Sequence, residues 1–155
     1  MRLFELTGGS VLYHGTTAKY ALMILQDKGM NSSNDDIDAD KNNQYFISTT
    51  TDPNLWWSAG FRDTANVTFV LNKPTGYELE LVDRWDEVRI MLGQVPEDPY
   101  GWGNPDAPNF PVNRKTVREI WVRDQEAENG DYKYLQQVRD QAAKLGIPVV
   151  EKPTK

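Results

Sequence analysis

Leu12-Tyr13-His14-Gly15-Thr16-Thr17, running directly into Ala18 to Gly29, is the stretch on which the reading of this chain turns. Val11 to His14 alternate as a strand does, which places Leu12 and His14 on one face and Val11 and Tyr13 on the other. Gly15 lacks a Cβ, so main chain and ligand can approach closely there. Thr16 or Thr17 is suited to cap the helix that follows, in which Ala21, Ile24, Leu25 and Lys28 recur at helical spacing. Gly29 is expected at the C′ position that ends it. A strand, a tight turn and a helix result, with a histidine at the strand end. It is the only histidine in the chain. Taken alone, a histidine so placed is more often a structural or surface residue than a chemical one.

A second stretch changes its context. Tyr45-Phe46-Ile47-Ser48-Thr49-Thr50-Thr51-Asp52-Pro53 begins as a strand over Gln44 to Thr49 and ends in a helix start, with Asp52 as N-cap and Pro53 at the first helical position. Asn54-Leu55-Trp56-Trp57-Ser58-Ala59-Gly60-Phe61 follows as a short helix.

These two stretches resemble the ADP-ribosyltransferase superfamily. Tyr13-His14-Gly15-Thr16 is similar to the strand of the diphtheria-toxin-like and poly(ADP-ribose) polymerase branch that holds the nicotinamide amide and a ribose of NAD. Tyr45 and Trp56 have the separation of the aromatic pair that sandwiches the nicotinamide ring, with Trp57 or Phe61 as alternatives for the second wall. Phe46-Ile47-Ser48-Thr49-Thr50 also resembles the Ser-Thr-Ser strand of the arginine-serine-glutamate branch. The resemblance implies a single α+β domain over residues 1–155, with a split β-sheet core flanked by helices, as in small phage-type members. It implies NAD as substrate, with His14, Gly15, Thr16, Tyr45, Ser48, Thr49, Trp56 and Trp57 as its contacts.

Length and composition agree with one domain. The 155 residues are 39% hydrophobic and 26% charged, which suits a water-soluble globular chain. Five tryptophans and seven tyrosines can fill a core or stack on flat rings. A net charge of −6 argues against a protein that grips nucleic acid non-specifically through its phosphates. No cysteine is present, so disulfides and thiolate chemistry are absent, and one histidine with carboxylates is a poor zinc set. No metal is expected. No stretch has the apolar length of a membrane span, and Met1 to Ser10 lacks the apolar core of a signal peptide, so a cytoplasmic protein is expected.

Elsewhere, Arg2 to Leu6 reads as a helical turn or as an edge strand. Asn31 to Asn43 is a polar loop in which Asp36, Asp38 and Asp40 suggest a calcium loop. Lys41 and Ile47 stand where such a loop needs glycine and glutamate, so it reads instead as a solvated acidic loop. Asn66 to Leu71, Tyr77 to Val82, Glu87 to Leu92 and Thr116 to Val122 alternate as strands. Gly93 to Val112 carries Pro96, Pro99, Pro105, Pro108 and Pro111, so no regular structure is expected there. Its Tyr100, Trp102 and Phe110 could pack or touch a partner. Leu135, Val138, Ala142 and Leu145 stripe a helix that begins at Asp131 and ends at Gly146, and Ile147 to Val150 forms a last strand. Strands that outnumber helices in this order favour an α+β sheet over a doubly wound one.

Chemistry at the glycosidic carbon of NAD needs a carboxylate to stabilise positive charge on the ribose. Two glutamates open or occupy suitable strands. Glu87 follows Arg84-Trp85-Asp86, and its offset from Ser48 is comparable to that of the glutamate strand in the arginine-serine-glutamate branch. Glu119, in Val117-Arg118-Glu119-Ile120, is similar to the glutamate strand of the polymerase branch. Glu87 is preferred, with Glu119 as the alternative, and His14 completes the catalytic set. Trp85 stands where the usual acceptor-directing glutamate would be, which counts against arginine as acceptor. The resemblance thus implies transfer of ADP-ribose from NAD to a macromolecule, protein more readily than nucleic acid. NAD hydrolysis, RNA 2′-phosphotransfer and an inactive nucleotide- or protein-binding domain are the alternatives. Charge mimicry of nucleic acid is a further one.

Overall fold

The computed structural model describes residues 11–31, 37–38, 44–53, 66–82, 87–94, 109–123 and 131–152. The chain is α+β. The first strand, β1 (Val11–Thr16), leads into helix α1 (Ala18–Asp27). Short strands β2 (Gly29–Asn31) and β3 (Ile37–Asp38) precede β4 (Gln44–Thr50). The strands β5 (Val67–Asn72), β6 (Leu79–Val82), β7 (Glu87–Gln94), β8 (Asn109–Pro111) and β9 (Val117–Arg123) follow. A 3-10 turn (Asp131–Tyr134) opens into helix α2 (Leu135–Leu145), and β10 (Val149–Lys152) ends the described chain.

The main sheet has the order β10-β9-β5-β1-β4-β7-β6, with β3 attached to β4; β2 and β8 form a separate ribbon. Its ladders are antiparallel except β9 with β10, which run parallel. That exception has a simple cause, because parallel neighbours need a crossover long enough to hold a helix, and α2 supplies it. β1 makes six paired positions with β5, from Val11 opposite Asn72 to Thr16 opposite Val67. On its other edge it pairs with β4 at Tyr13 opposite Thr50. The sheet is therefore nearly divided between β1 and β4.

Register and pleat put Leu12, Phe69, Leu71, Ile120, Val122, Ile47, Val88 and Ile90 on one face. These residues join Ala21, Leu25, Leu135, Val138 and Ala142 of the two helices in one core. Each such Leu, Ile or Phe contributes on the order of 1.5–3 kcal/mol when fully buried. Val70 and Thr68 are buried as well, so β5 is covered on both faces.

Thr17 is the N-cap of α1, its hydroxyl accepting from the Tyr20 N–H at 3.4 Å. Asn66, fully buried just before β5, accepts from the Ala18 N–H at 3.0 Å and ties the helix start to the sheet. Two expectations need correction. The left-handed residue ending α1 is Lys28, at φ 55°, and Gly29 already begins β2. A Cβ at 29 would lie 2.9 Å from Asn109 Nδ2 across the β2–β8 ribbon, so a larger residue there needs the exposed Asn109 side chain to turn aside. The second correction concerns the proline-rich stretch: Asn109–Pro111 is a strand, pairing Gly29 with Pro111, Met30 with Phe110 and Asn31 with Asn109. Proline is tolerated because the ribbon has only two strands, so Pro111 sits on an edge.

The start of the chain, Trp56, Trp57 and Phe61, most of the acidic loop and the stretch containing Tyr100 and Trp102 lie outside the described residues. Among the described residues no helix is long and apolar enough to cross a membrane.

α2 ends as its sequence requires, with Gly146 at φ 73° and its N–H bonded to the carbonyls of Ala142 and Ala143. The nearest atom to a Cβ at 146 is Arg114 Cδ at 3.8 Å, so space is not limiting there. Gly146→Ala is expected to lower unfolding stability in urea by about 1 kcal/mol through the left-handed backbone alone. An unchanged midpoint would show that this cap does not constrain the helix.

Candidate functional site

β4 lies between β1 and β7, and the candidate residues of all three strands meet across it. The His14 ring donates from Nδ1 to the Ser48 main-chain carbonyl at 2.8 Å. A carbonyl only accepts, so Nδ1 carries the proton, and in the neutral ring Nε2 is the acceptor nitrogen. Ser48 in turn donates its hydroxyl to Glu87 Oε2 at 2.5 Å. Glu87 Oε1 is 3.3 Å from Arg89 Nε, and the Arg89 guanidinium lies 4.2 Å above the Phe46 ring centre.

The strand registers explain the β4–β7 part of these contacts; His14, two residues from Leu12 and opposite Phe69, stands on the core face and meets β4 at the Ser48 main-chain carbonyl. Ser48 is opposite Arg89 and Thr50 is opposite Glu87, so Ser48, Glu87 and Arg89 project from the same face of the β4–β7 ladder. The core is on the other face. Glu87 and Arg89 keep side-chain exposures of 21% and 25%, so the carboxylate is held yet reachable. Gly15 and Thr16, at the end of β1, are half-buried.

Thr49 does not join them. Expected beside Ser48 as a ligand contact, it points to the core face, is completely buried, and donates to the Val88 carbonyl at 2.6 Å. Adjacent residues of a strand face opposite ways, so a Ser-Thr pair divides its work: Ser48 faces the site and Thr49 locks the ladder. Tyr45 is opposite Gly93, where the β4–β7 register shifts between Tyr45 and Phe46, and only 7% of it is exposed.

Glu119 stands elsewhere. Its row across the sheet runs Glu119, Val70, Tyr13, Thr50, Glu87. Four inter-strand steps separate the two glutamates by about 19 Å. Glu119 accepts from Trp121 Nε1 at 2.6 Å. Tyr13 packs on that indole with ring centres 5.2 Å apart, and Lys152 Nζ lies 4.1 Å from its centre. The surroundings of Glu119 are thus an aromatic cluster on β1, β9 and β10.

Arg89 and Phe46 carry no signal as single residues. Their place follows from being two residues from Glu87 and from Ser48 on facing strands, which becomes visible once β4 is paired with β7. Among the described residues no three His, Asp or Glu side chains gather as a metal site. No protein-family model matches the chain, and no curated protein matches it.

Burial is the main cause that raises the Tyr13 phenol above its usual value, followed by the Glu119 carboxylate; Arg118 opposes them. A raised value in the folded state stabilises the fold fully below the unfolded tyrosine value of about 10, and that stability is lost as pH rises through the folded value. Wild type is therefore expected to lose stability more steeply than Tyr13→Phe as pH rises from roughly 9 to 11. Equal slopes in thermal melts across that range would remove Tyr13 as the cause.

Proposed function

We propose that this chain is a mono-ADP-ribosyltransferase of ADP-ribosyltransferase-like fold, taking ADP-ribose from NAD to a macromolecular acceptor. The observation that carries the reading is the link His14–Ser48–Glu87, formed where the sheet is nearly divided between β1 and β4. A sheet nearly split between β1 and β4 fits the expected split core, and His14 and Ser48, two of the residues whose sequence resembles NAD contacts, stand on the two strands at that junction.

In this reading Gly15 and Thr16 bind the nicotinamide end of NAD, with Tyr45 and the Trp56-Trp57 pair as ring walls. His14, oriented by its bond to Ser48, faces a ribose. Glu87 is the catalytic carboxylate. As the bond between C1″ of the ribose and the nicotinamide nitrogen breaks, its electron pair leaves with nicotinamide. The positive charge that develops on the ribose is stabilised by Glu87, whose orientation Ser48 sets. An acceptor atom then bonds to C1″ and gives up any proton it carries. Glu119, about 19 Å away by strand spacing, has no part in this step. The acidic chain favours protein over nucleic acid as acceptor, and cytoplasmic NAD would supply the donor. Water is the competing acceptor, since Glu87 remains partly exposed.

Purified protein incubated with NAD, with and without a cell lysate, is expected to release nicotinamide and to label protein. Glu87→Gln keeps size and hydrogen bonding but deletes the charge. It should lower kcat by about 10²–10³ with little change in KM. Ser48→Ala should fall in the same direction by a smaller factor, and Glu119→Gln should stay near wild type. A wild-type protein that neither binds nor consumes NAD would overturn this function. Loss in Glu119→Gln with full activity in Glu87→Gln would overturn the assignment of the carboxylate alone.

A further inference from the structure

Glu87 is gripped at both carboxylate oxygens, and only one grip comes from a residue the NAD reading already uses. Ser48 holds Oε2 from β4 at 2.5 Å; Arg89 Nε reaches Oε1 from two residues along β7 at 3.3 Å. We propose that Arg89, seated on Phe46, is a positioning residue that fixes the plane of the Glu87 carboxylate. The inference rests on the reading of Glu87 as the catalytic group.

Geometry carries the argument. The last torsion of a glutamate side chain is broad and roughly two-fold, so one bond at one oxygen leaves the carboxylate free to turn. A second donor at the other oxygen removes that freedom. Arginine suits the task because its guanidinium is a rigid planar fork. Its long stem is the weakness, since ordering it costs side-chain entropy. Phe46 answers that weakness: the guanidinium rests 4.2 Å above its ring, and Phe46 is 5% exposed. Every strand around the pair takes part. Ser48 is opposite Arg89 on β4, and Glu80 is opposite it on β6. Glu80 thus adds a second acidic residue on the same face of the flanking strand.

A partly exposed ion pair adds little to fold stability. The same pair can matter greatly for rate, because a misplacement of about 1 Å at a reacting group can cost on the order of 10²-fold. Arg89 should therefore register in turnover and hardly at all in melting temperature.

The test uses nicotinamide release from NAD by the whole chain. Arg89→Met keeps the apolar stem on Phe46 but deletes the donor and the charge. It should lower kcat by about 10-fold or more while KM for NAD moves by no more than about twofold. Arg89→Lys can still offer an N–H to Oε1 and should recover most of the loss. Phe46→Leu should give an intermediate loss, and Phe46→Leu with Arg89→Met should be no worse than Arg89→Met alone, because the two act as one unit. Equal kcat in the Met and Lys variants, or wild-type kcat in Arg89→Met, would overturn the positioning role while leaving Glu87 in place. No nicotinamide release by wild type would overturn the NAD reading and this inference with it.

Discussion

β1 and β4 are joined at Tyr13 opposite Thr50, and from that junction two strand edges run on side by side. Main-chain N–H and C=O groups on such edges must find other partners if they are not to face a loss of hydrogen bonding. The His14 ring supplies one, bonding the Ser48 carbonyl where a strand neighbour would otherwise have done so. One imidazole thus does two things at once. It holds the edge of β4 against β1, and it places Ser48 so that the hydroxyl on its other side meets Glu87. The β1–β4 junction is the most sparsely paired in the sheet's path, and the candidate residues stand beside it.

The two candidate glutamates show how neighbours decide what a carboxylate does. Both are central or initial in a strand, and both have an arginine within two residues. Glu87 meets a hydroxyl, a guanidinium and solvent. Glu119 meets the indole N–H of Trp121, with Tyr13 and Lys152 closing over the same ring. The first set holds a charge in a fixed direction and leaves it reachable. The second ties the charge into an aromatic cluster, which suits holding β1, β9 and β10 together.

Much of this was legible along the chain. Val67, Phe69 and Leu71 alternate plainly, and the Leu135, Val138, Ala142 stripe has the helical period, so both elements follow from local pattern. The strand pair β2–β8 was not legible. Three residues at each strand are too short to show a period, and Pro111 argues against pairing unless its edge position is known. Lys28 in the left-handed region was hidden for a different reason. Glycine stood next to it, and what a Cβ at 29 would meet is the Asn109 side chain, some eighty residues on. Strand order adds what local sequence does not show: the path β9-β5-β1-β4-β7 sets Glu87 beside Ser48 and Glu119 four strand steps away.

β4 converts core packing into site geometry. Ile47 and Thr49 face the core, where Ile47 meets Ile90 and Thr49 bonds Val88 across the ladder. Ser48, between them, faces away and must therefore project opposite Arg89 and beside Glu87. A slip of one residue in this register would expose Ile47, bury Ser48 and turn Glu87 from a hydroxyl to an apolar neighbour. The burial of Ile47, Val88 and Ile90 forbids that slip, since each contributes on the order of 1.5–3 kcal/mol. The hydroxyl–carboxylate pair is too small to set the register of a seven-residue strand by itself. It inherits its alignment from the apolar face of the same strand, which is why a weak polar contact can be held to a fixed direction beside the sparsely paired β1–β4 junction.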